Sequence, residues 1–218
     1  AYAQEHQAMF TDIKGAIFPG EYFEDHIWAR GDGVDGWPHA FELSAIAVDP
    51  SMGKRAKAGD YSAIVFVGLA RGKFWVHIDM RRRPPVDIVA DTMKMFRKYQ
   101  PLVVGIEANG FQEVLGVVFS AYCREHNLPP PPLVMIQNSD PKIRIQALDP
   151  HFANHIVRIW PSDSADLLVE QLQMFPDPGY HDDGADGLEM AIRLLHQLVT
   201  MSRSQNDTGE TQISYARA

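Results

Sequence analysis

The sequence predicts an α/β domain with a central mixed sheet, an antiparallel three-strand meander continued by parallel strands and flanked by helices. Three observations carry that class. Strand-length apolar blocks separated by turn residues fill positions 43 to 81. From Pro84 onward, helix-spaced apolar stripes alternate with short apolar runs. The third is composition: 218 residues at 45% hydrophobic content can bury one ordinary core with a few appendages.

Residues 1–40 lack clean periodicity and carry Gly-Asp-Gly-Val-Asp-Gly between Gly31 and Gly36, with Phe18, Tyr22, Phe23, Trp28 and Trp37 around it. They read as an irregular lead-in packed on the core. The domain proper spans 41–200 and opens with strands at about 43–49, 62–70 and 73–81. In the third, Phe74, Val76 and Ile78 alternate with Trp75 and His77, and Arg71-Gly72 supplies the turn before it. Pro84-Pro85 starts a helix to about Tyr99, with Ile88, Val89, Met93 and Phe96 at helical spacing, and Pro101 separates it from a strand at 102–107. Helix followed by strand signals a parallel crossover. A helix over about 111–126, the stiff run from Pro129 to Pro132 and a strand near 133–137 repeat the unit. Asp140 is an N-cap with Pro141 at the first helical position, Asn154 suits a left-handed stop, and a short strand at 156–160 follows. After a helix at roughly 163–174, Leu188, Ala191, Ile192, Leu195, Leu198 and Val199 form the stripe of a last helix beginning near Gly184. Residues 201–218 read as a polar, flexible tail. This order of elements is that of a ribonuclease H-like sheet. If the first strand and the strand ending at Glu107 lie side by side and parallel, Asp49 and Glu107 emerge at one edge.

Composition narrows the function classes. A single cysteine, Cys123, excludes an internal disulfide and a four-cysteine zinc site and suits a reducing cytosol. No apolar run approaches the length of a bilayer span, so no membrane partner is expected. The formal net charge of −8 argues against nonspecific coating of nucleic acid. Local placement softens that objection, because Lys54, Arg55 and Lys57 form one basic loop and Arg81, Arg82 and Arg83 another. There is no Gly-x-Ser-x-Gly, and Met52-Gly53-Lys54 lacks the glycine spacing of a phosphate loop, so serine-nucleophile and ATPase chemistry have no support.

Three acidic stations each follow an apolar or glycine-bearing run: Asp49 after Ala45–Val48, Glu107 after Val103–Ile106, and the cluster Asp182-Asp183-Gly184-Ala185-Asp186. Singly, Asp49-Pro50 is an ordinary turn, Glu107 a helix-start acid, and Asp183 with Asp186 a capping pair. Together they point elsewhere. Withdrawing a carboxylate from water is costly without a cation, so acids converging in one cleft imply Mg²⁺ or Mn²⁺ between them and phosphodiester hydrolysis as the chemistry. Asp183 and Asp186 at i and i+3, or Asp182 and Asp186 at i and i+4, share a helix face, and the sequence leaves that choice open. Asp60 is expected behind the ligands and Gln112 to orient water or a phosphate, while Gly184 and Gly187 would leave room for a bulky substrate. Lys54, Arg55, Lys57, the Arg81, Arg82 and Arg83 triplet, Lys142 and Arg144 are the expected contacts to a DNA backbone.

Four segments in order carry a family resemblance: Ala47-Val48-Asp49-Pro50-Ser51 with Gly59-Asp60-Tyr61-Ser62-Ala63-Ile64, then Gly105-Ile106-Glu107-Ala108-Asn109-Gly110-Phe111-Gln112, then Phe175-Pro176 leading to His181-Asp182-Asp183-Gly184-Ala185-Asp186. Over roughly residues 20–200 the chain resembles the nuclease domain of tailed-phage large terminases. The resemblance implies a ribonuclease H/RuvC-like fold and a metal-dependent endonuclease that cuts concatemeric double-stranded DNA during genome packaging. It makes Asp49, Glu107 and Asp183 the metal-binding catalytic core, with Asp186 or Asp182 assisting. It also implies an ATPase motor in the same full-length protein, a portal and a small terminase subunit as partners, and the cytoplasm of an infected bacterial host as the setting. With no initiator methionine at Ala1, the chain reads as the C-terminal nuclease part.

The expected mechanism is two-metal hydrolysis with little sequence specificity, Asp49 bridging both ions, Glu107 serving one and Asp183 the other, with Asp186 completing a shell. Two rivals stand beside it. One keeps the fold but acts on junctions or RNA–DNA hybrids; the other is a noncatalytic module docking on the portal or motor.

Overall fold

A computed structural model of the chain describes residues 16–31, 33, 36–50, 61–108, 112–137 and 139–208, without the side chains of 112, 113 and 203–208. The antiparallel meander is β1 (Leu43–Asp49), β2 (Ser62–Ala70) and β3 (Lys73–Arg81). Its first two strands pair with Asp49 opposite Ala63, and the next two with Ser62 opposite Arg81. Helix α1 (Pro85–Tyr99) crosses over to β4 (Val103–Glu107), and α2 (Gln112–Glu125) leads to β5 (Leu133–Ile136). Then come α3 (Pro141–Gln146), α4 (Asp149–Ala153), β6 (Val157–Ile159), α5 (Asp163–Met174) and α6 (Asp183–Thr208). The six strands lie in the order β5-β4-β1-β2-β3-β6, with β1–β4, β4–β5 and β3–β6 parallel.

Strand alternation sorts the sheet residues into two apolar layers. Ala45, Ala47, Ala63, Val65, Val76 and Val103 face the side covered by α5 and α6, while Ile46, Val48, Ile64, Phe66, Val104 and Ile106 face α1 and α2. The first face is lined by small residues, which lets α6 lie close to β1 and β2. Their mates on the helix are Ala185, Leu188 and Ala191, all fully buried.

The aromatic lead-in is part of this core. Two 3₁₀ turns, Gly20–Phe23 and Asp25–Ile27, hold Ile27 in the α6-side layer, and Phe18 meets Phe152 edge-on at 5.7 Å. Burying each such side chain stabilises the docked segment by roughly 1.5–3 kcal/mol. Trp28 bridges to Ile159 in parallel, covering the β6 edge of the sheet. On the other face Trp37 touches the rings of Phe41, Phe66, Trp75, Tyr99 and Trp160.

Three local expectations are corrected. The segment after Asp140 forms two short helices rather than one, because Pro150 lies where a continuous helix would need its N–H. Asn154 is not left-handed; His155 is, at φ 53°. The polar tail expected from 201 continues as helix to Thr208.

Tyr99 stacks on Phe66 and its hydroxyl lies 2.8 Å from His77 Nδ1. Burial, helped by nearby Lys98 and opposed by Asp79, lowers the His77 imidazole from 6.5 to about 4. A depressed folded value means the unfolded chain takes up the proton first. The stability from His77 is therefore full above pH 6.5 and is lost as pH falls towards 4. The loss reaches about 3 kcal/mol at most. Urea denaturation at pH 7.5, 5.5 and 4.5 should show His77→Gln losing less stability on acidification than the wild type; equal losses contradict the assignment.

Candidate metal centre

Parallel pairing of β1 and β4 places Val48 opposite Ile106, so the next residues, Asp49 and Glu107, close neighbouring strands at one edge. Neighbouring strands lie about 4.8 Å apart, and alternate residues share a face. Asp49 follows Ala45 and Ala47, and Glu107 follows Val103, on the face that carries α6. Both acids thus point to the same side. Asp49 is only 6% exposed and Glu107 is half-buried. Strand β2 runs the opposite way and begins at that edge, where the Tyr61 amide donates to Asp183 Oδ2 at 3.3 Å. The first residue of α6 is thereby tied beside the strand-end acids. His181 Nδ1 stands 3.8 Å from the same carboxylate oxygen, and its ring meets Tyr61 edge-on.

The start of α6 is seated by close contact. The Gly184 N–H donates to buried Gln171 Oε1 at 2.8 Å, and a Cβ on Gly184 would run into Met80 and Gln171. A Cβ on Gly187 would lie 3.0 Å from Val65 Cγ2. These glycines therefore serve helix–sheet contact rather than making room for substrate. Gln171 was missed in the sequence, since nothing local marks a helical glutamine as an acceptor for a distant amide.

Asp186 has a different environment from Asp183. Buried Arg144 spans both its carboxylate oxygens, with Nη2 to Oδ2 at 3.0 Å and Nη1 to Oδ1. Nη1 also donates to Glu189 Oε2 at 3.1 Å, and Nε to the Ser139 carbonyl at 3.1 Å. Arg193 holds Glu189 from the other side at 2.8 Å. Burial pushes Asp186 up to about 6, Arg144 opposes that push, and the negative charges of Glu107 and Asp182 add to it. The field of the edge thus reaches Asp186. Asp182 is exposed, with its carbonyl accepting from the Asp186 amide at 2.8 Å.

The expected backbone contacts divide by burial. Arg144 is corrected: at 7% exposure, with every guanidinium nitrogen engaged by protein acceptors, it is not placed to grip a phosphate. Arg83 is corrected for the same reason, being bound to Asp91 at 2.6 Å and to Ser62 Oγ at 2.8 Å. Arg81 is half-exposed and clasps Asp79 at 2.7 Å. Arg82 lies over the Tyr61 ring at 4.7 Å, next to the tether on Asp183. Lys142 is exposed on α3, with its amide capped by Asp140 at 2.9 Å. Lys54, Arg55, Lys57, Asp60 and the Gln112 side chain lie outside the described residues.

The donor set is made of hard carboxylate oxygens, which suit Mg²⁺ or Mn²⁺ better than a soft ion. Among the described residues no group of three His, Cys, Asp or Glu side chains is close enough to hold an ion as it stands. Asp49, Glu107 and Asp183 fit such an ion by the chemistry of their oxygens and by their shared edge.

A mixed sheet in this order, with helices on both faces and acids at the ends of β1 and β4, defines a ribonuclease H-like domain. Its fold is that of the nuclease domains of phage large terminases. The large terminase nuclease of thermophilic phage G20c, solved with bound zinc, superposes with a TM-score of 0.56 at 16% identity, covering 81% of this chain and 97% of that one. The gp2c part of the bacteriophage Sf6 large terminase subunit, solved with calcium, gives 0.55 at 13% identity, covering 81% and 98%. A longer large terminase, from a second thermophilic bacteriophage, gives 0.50 at 12% identity, covering 90% of this chain and 50% of that one. No family model and no curated protein sequence matches the chain.

The two neighbouring arginines should separate in stability. Arg83→Ala removes the buried partner of Asp79 and Asp91, which keep only half-exposed Arg81, and should cost about 2–3 kcal/mol. Arg82→Ala loses an exposed stacking contact and should cost no more than about 1 kcal/mol. Urea denaturation of both variants checks this, and equal losses contradict it.

Proposed function

We propose that this chain is a metal-dependent DNA endonuclease, the nuclease part of a phage DNA-packaging large terminase. One observation carries the reading: Asp49 and Glu107 close adjoining parallel strands on one face, and Asp183 is tethered beside them. The shared fold with the G20c and Sf6 nucleases, each solved with a divalent metal, supports it. Asp49, Glu107 and Asp183 would hold Mg²⁺ or Mn²⁺ in a two-ion site; Asp182, the residue before Asp183, is exposed. Held by these carboxylates, divalent ions would supply Lewis-acid activation of water and electrostatic stabilisation of the charge that develops at a scissile phosphate.

The protein's own share is placement. The Tyr61 amide and the α6 N-terminus fix the Asp183 carboxylate, and Arg82, stacked on Tyr61, is positioned to meet a phosphate next to the acids. Contacts of that kind read no bases, which fits cutting with little sequence specificity. Double-stranded DNA is the proposed substrate. An ATPase motor in the same full-length protein is a proposed partner, in keeping with the match to 50% of the longer terminase. A portal and a small terminase subunit complete the proposed assembly, in the cytoplasm of an infected bacterial host.

The test is cleavage with Mn²⁺ of supercoiled plasmid, a four-way junction and an RNA–DNA hybrid. The wild type should nick and linearise the plasmid. Asp49→Ala and Glu107→Ala should each lower the rate by roughly 10²–10³-fold, the equivalent of several kcal/mol of transition-state stabilisation. Undiminished cutting by either variant contradicts the site, and cleavage confined to junction or hybrid contradicts the substrate.

A further inference from the structure

Resting on that functional reading, we propose that Arg144 is a positioning residue that withholds Asp186 from the ion site, leaving the ions to Asp49, Glu107 and Asp183. Asp186 stands three residues after Asp183, a spacing that puts both on one side of α6 and would otherwise make Asp186 a natural fourth ligand. Arg144 takes up both of its oxygens, and both side chains are buried. The guanidinium is itself anchored at a third nitrogen by the Ser139 carbonyl, 3.1 Å away. Its remaining contact, Glu189, is held independently by Arg193 at 2.8 Å and 3.3 Å, so the latch does not depend on Glu189 alone.

A fork of this kind fixes direction as well as distance. It orients the Asp186 carboxylate towards α3 and away from a role at the edge. It also bolts the first turns of α6 to α3, while Gln171 on α5 and the Tyr61 amide at the sheet edge hold the same turns from other sides. Arg144 therefore acts through Asp186, without touching substrate.

Mn²⁺ binding by isothermal titration calorimetry tests this without relying on turnover, with circular dichroism as the check on folding. Arg144→Gln frees a carboxylate and removes a positive charge, so it should bind Mn²⁺ about tenfold tighter or take up an additional ion. The charge-conserving double variant Arg144→Gln/Asp186→Asn should keep the wild-type stoichiometry and an affinity within about threefold, since neither residue is a ligand. A loss of about tenfold or more in the double variant makes Asp186 a ligand and overturns the proposal, as does wild-type binding by folded Arg144→Gln. Should the single variant fail to fold, the double variant decides. Asp49→Asn separates this proposal from the reading beneath it: that variant should lose Mn²⁺ binding, and if it binds as the wild type does, the metal site itself is misplaced.

Discussion

Two neighbouring parallel strands that end together on acids are the constraint from which the site follows. The hydrogen-bonded register of β1 against β4 sets Val48 level with Ile106, and strand alternation then leaves no choice about which face Asp49 and Glu107 occupy. A slip of one residue would turn one carboxylate to the α1 and α2 side and pull Ile106 or Val48 out of that layer. Burial of Ile46, Val48, Val104 and Ile106 thus holds the acids in place from behind.

Placing acids together costs electrostatic energy, and the surrounding structure is arranged to bear it. The amide of Tyr61 and the N-terminus of α6 meet Asp183, and Arg144 and Arg193 together balance Asp186 and Glu189 within the packed interior. Breaking such a buried pair from one side leaves an uncompensated charge worth about 3–5 kcal/mol. The small residues along β1 and β2 make this possible, because only a closely seated α6 brings its first turn level with the sheet edge. Gly187, against Val65, is part of that fit.

Much of this was legible in the sequence. The bounds of β1, β2, β3 and α5 coincide with the periodicity, since each is a clean pattern bounded by turn residues, such as Arg71-Gly72. The acids stood out because each follows an apolar run or lies in a dense cluster. What the pattern could not show was pairing across distance. Arg144 reads as one more exposed charge opening a helix, and its partner lies 42 residues later. The visible clue was Glu189, a charge within the buried run from Leu188 to Ile192, which demands a counter-ion. Likewise Gly184 and Gly187 looked like space for substrate, because a sequence does not say what a glycine is pressed against.

A crystal soaked in Mn²⁺, with anomalous peaks located against the side chains, tests the central claim most directly. Peaks are expected at the ends of β1 and β4, touching Asp49, Glu107 and Asp183 while Asp186 remains on Arg144. Peaks elsewhere on the surface, or none at that edge, would contradict it.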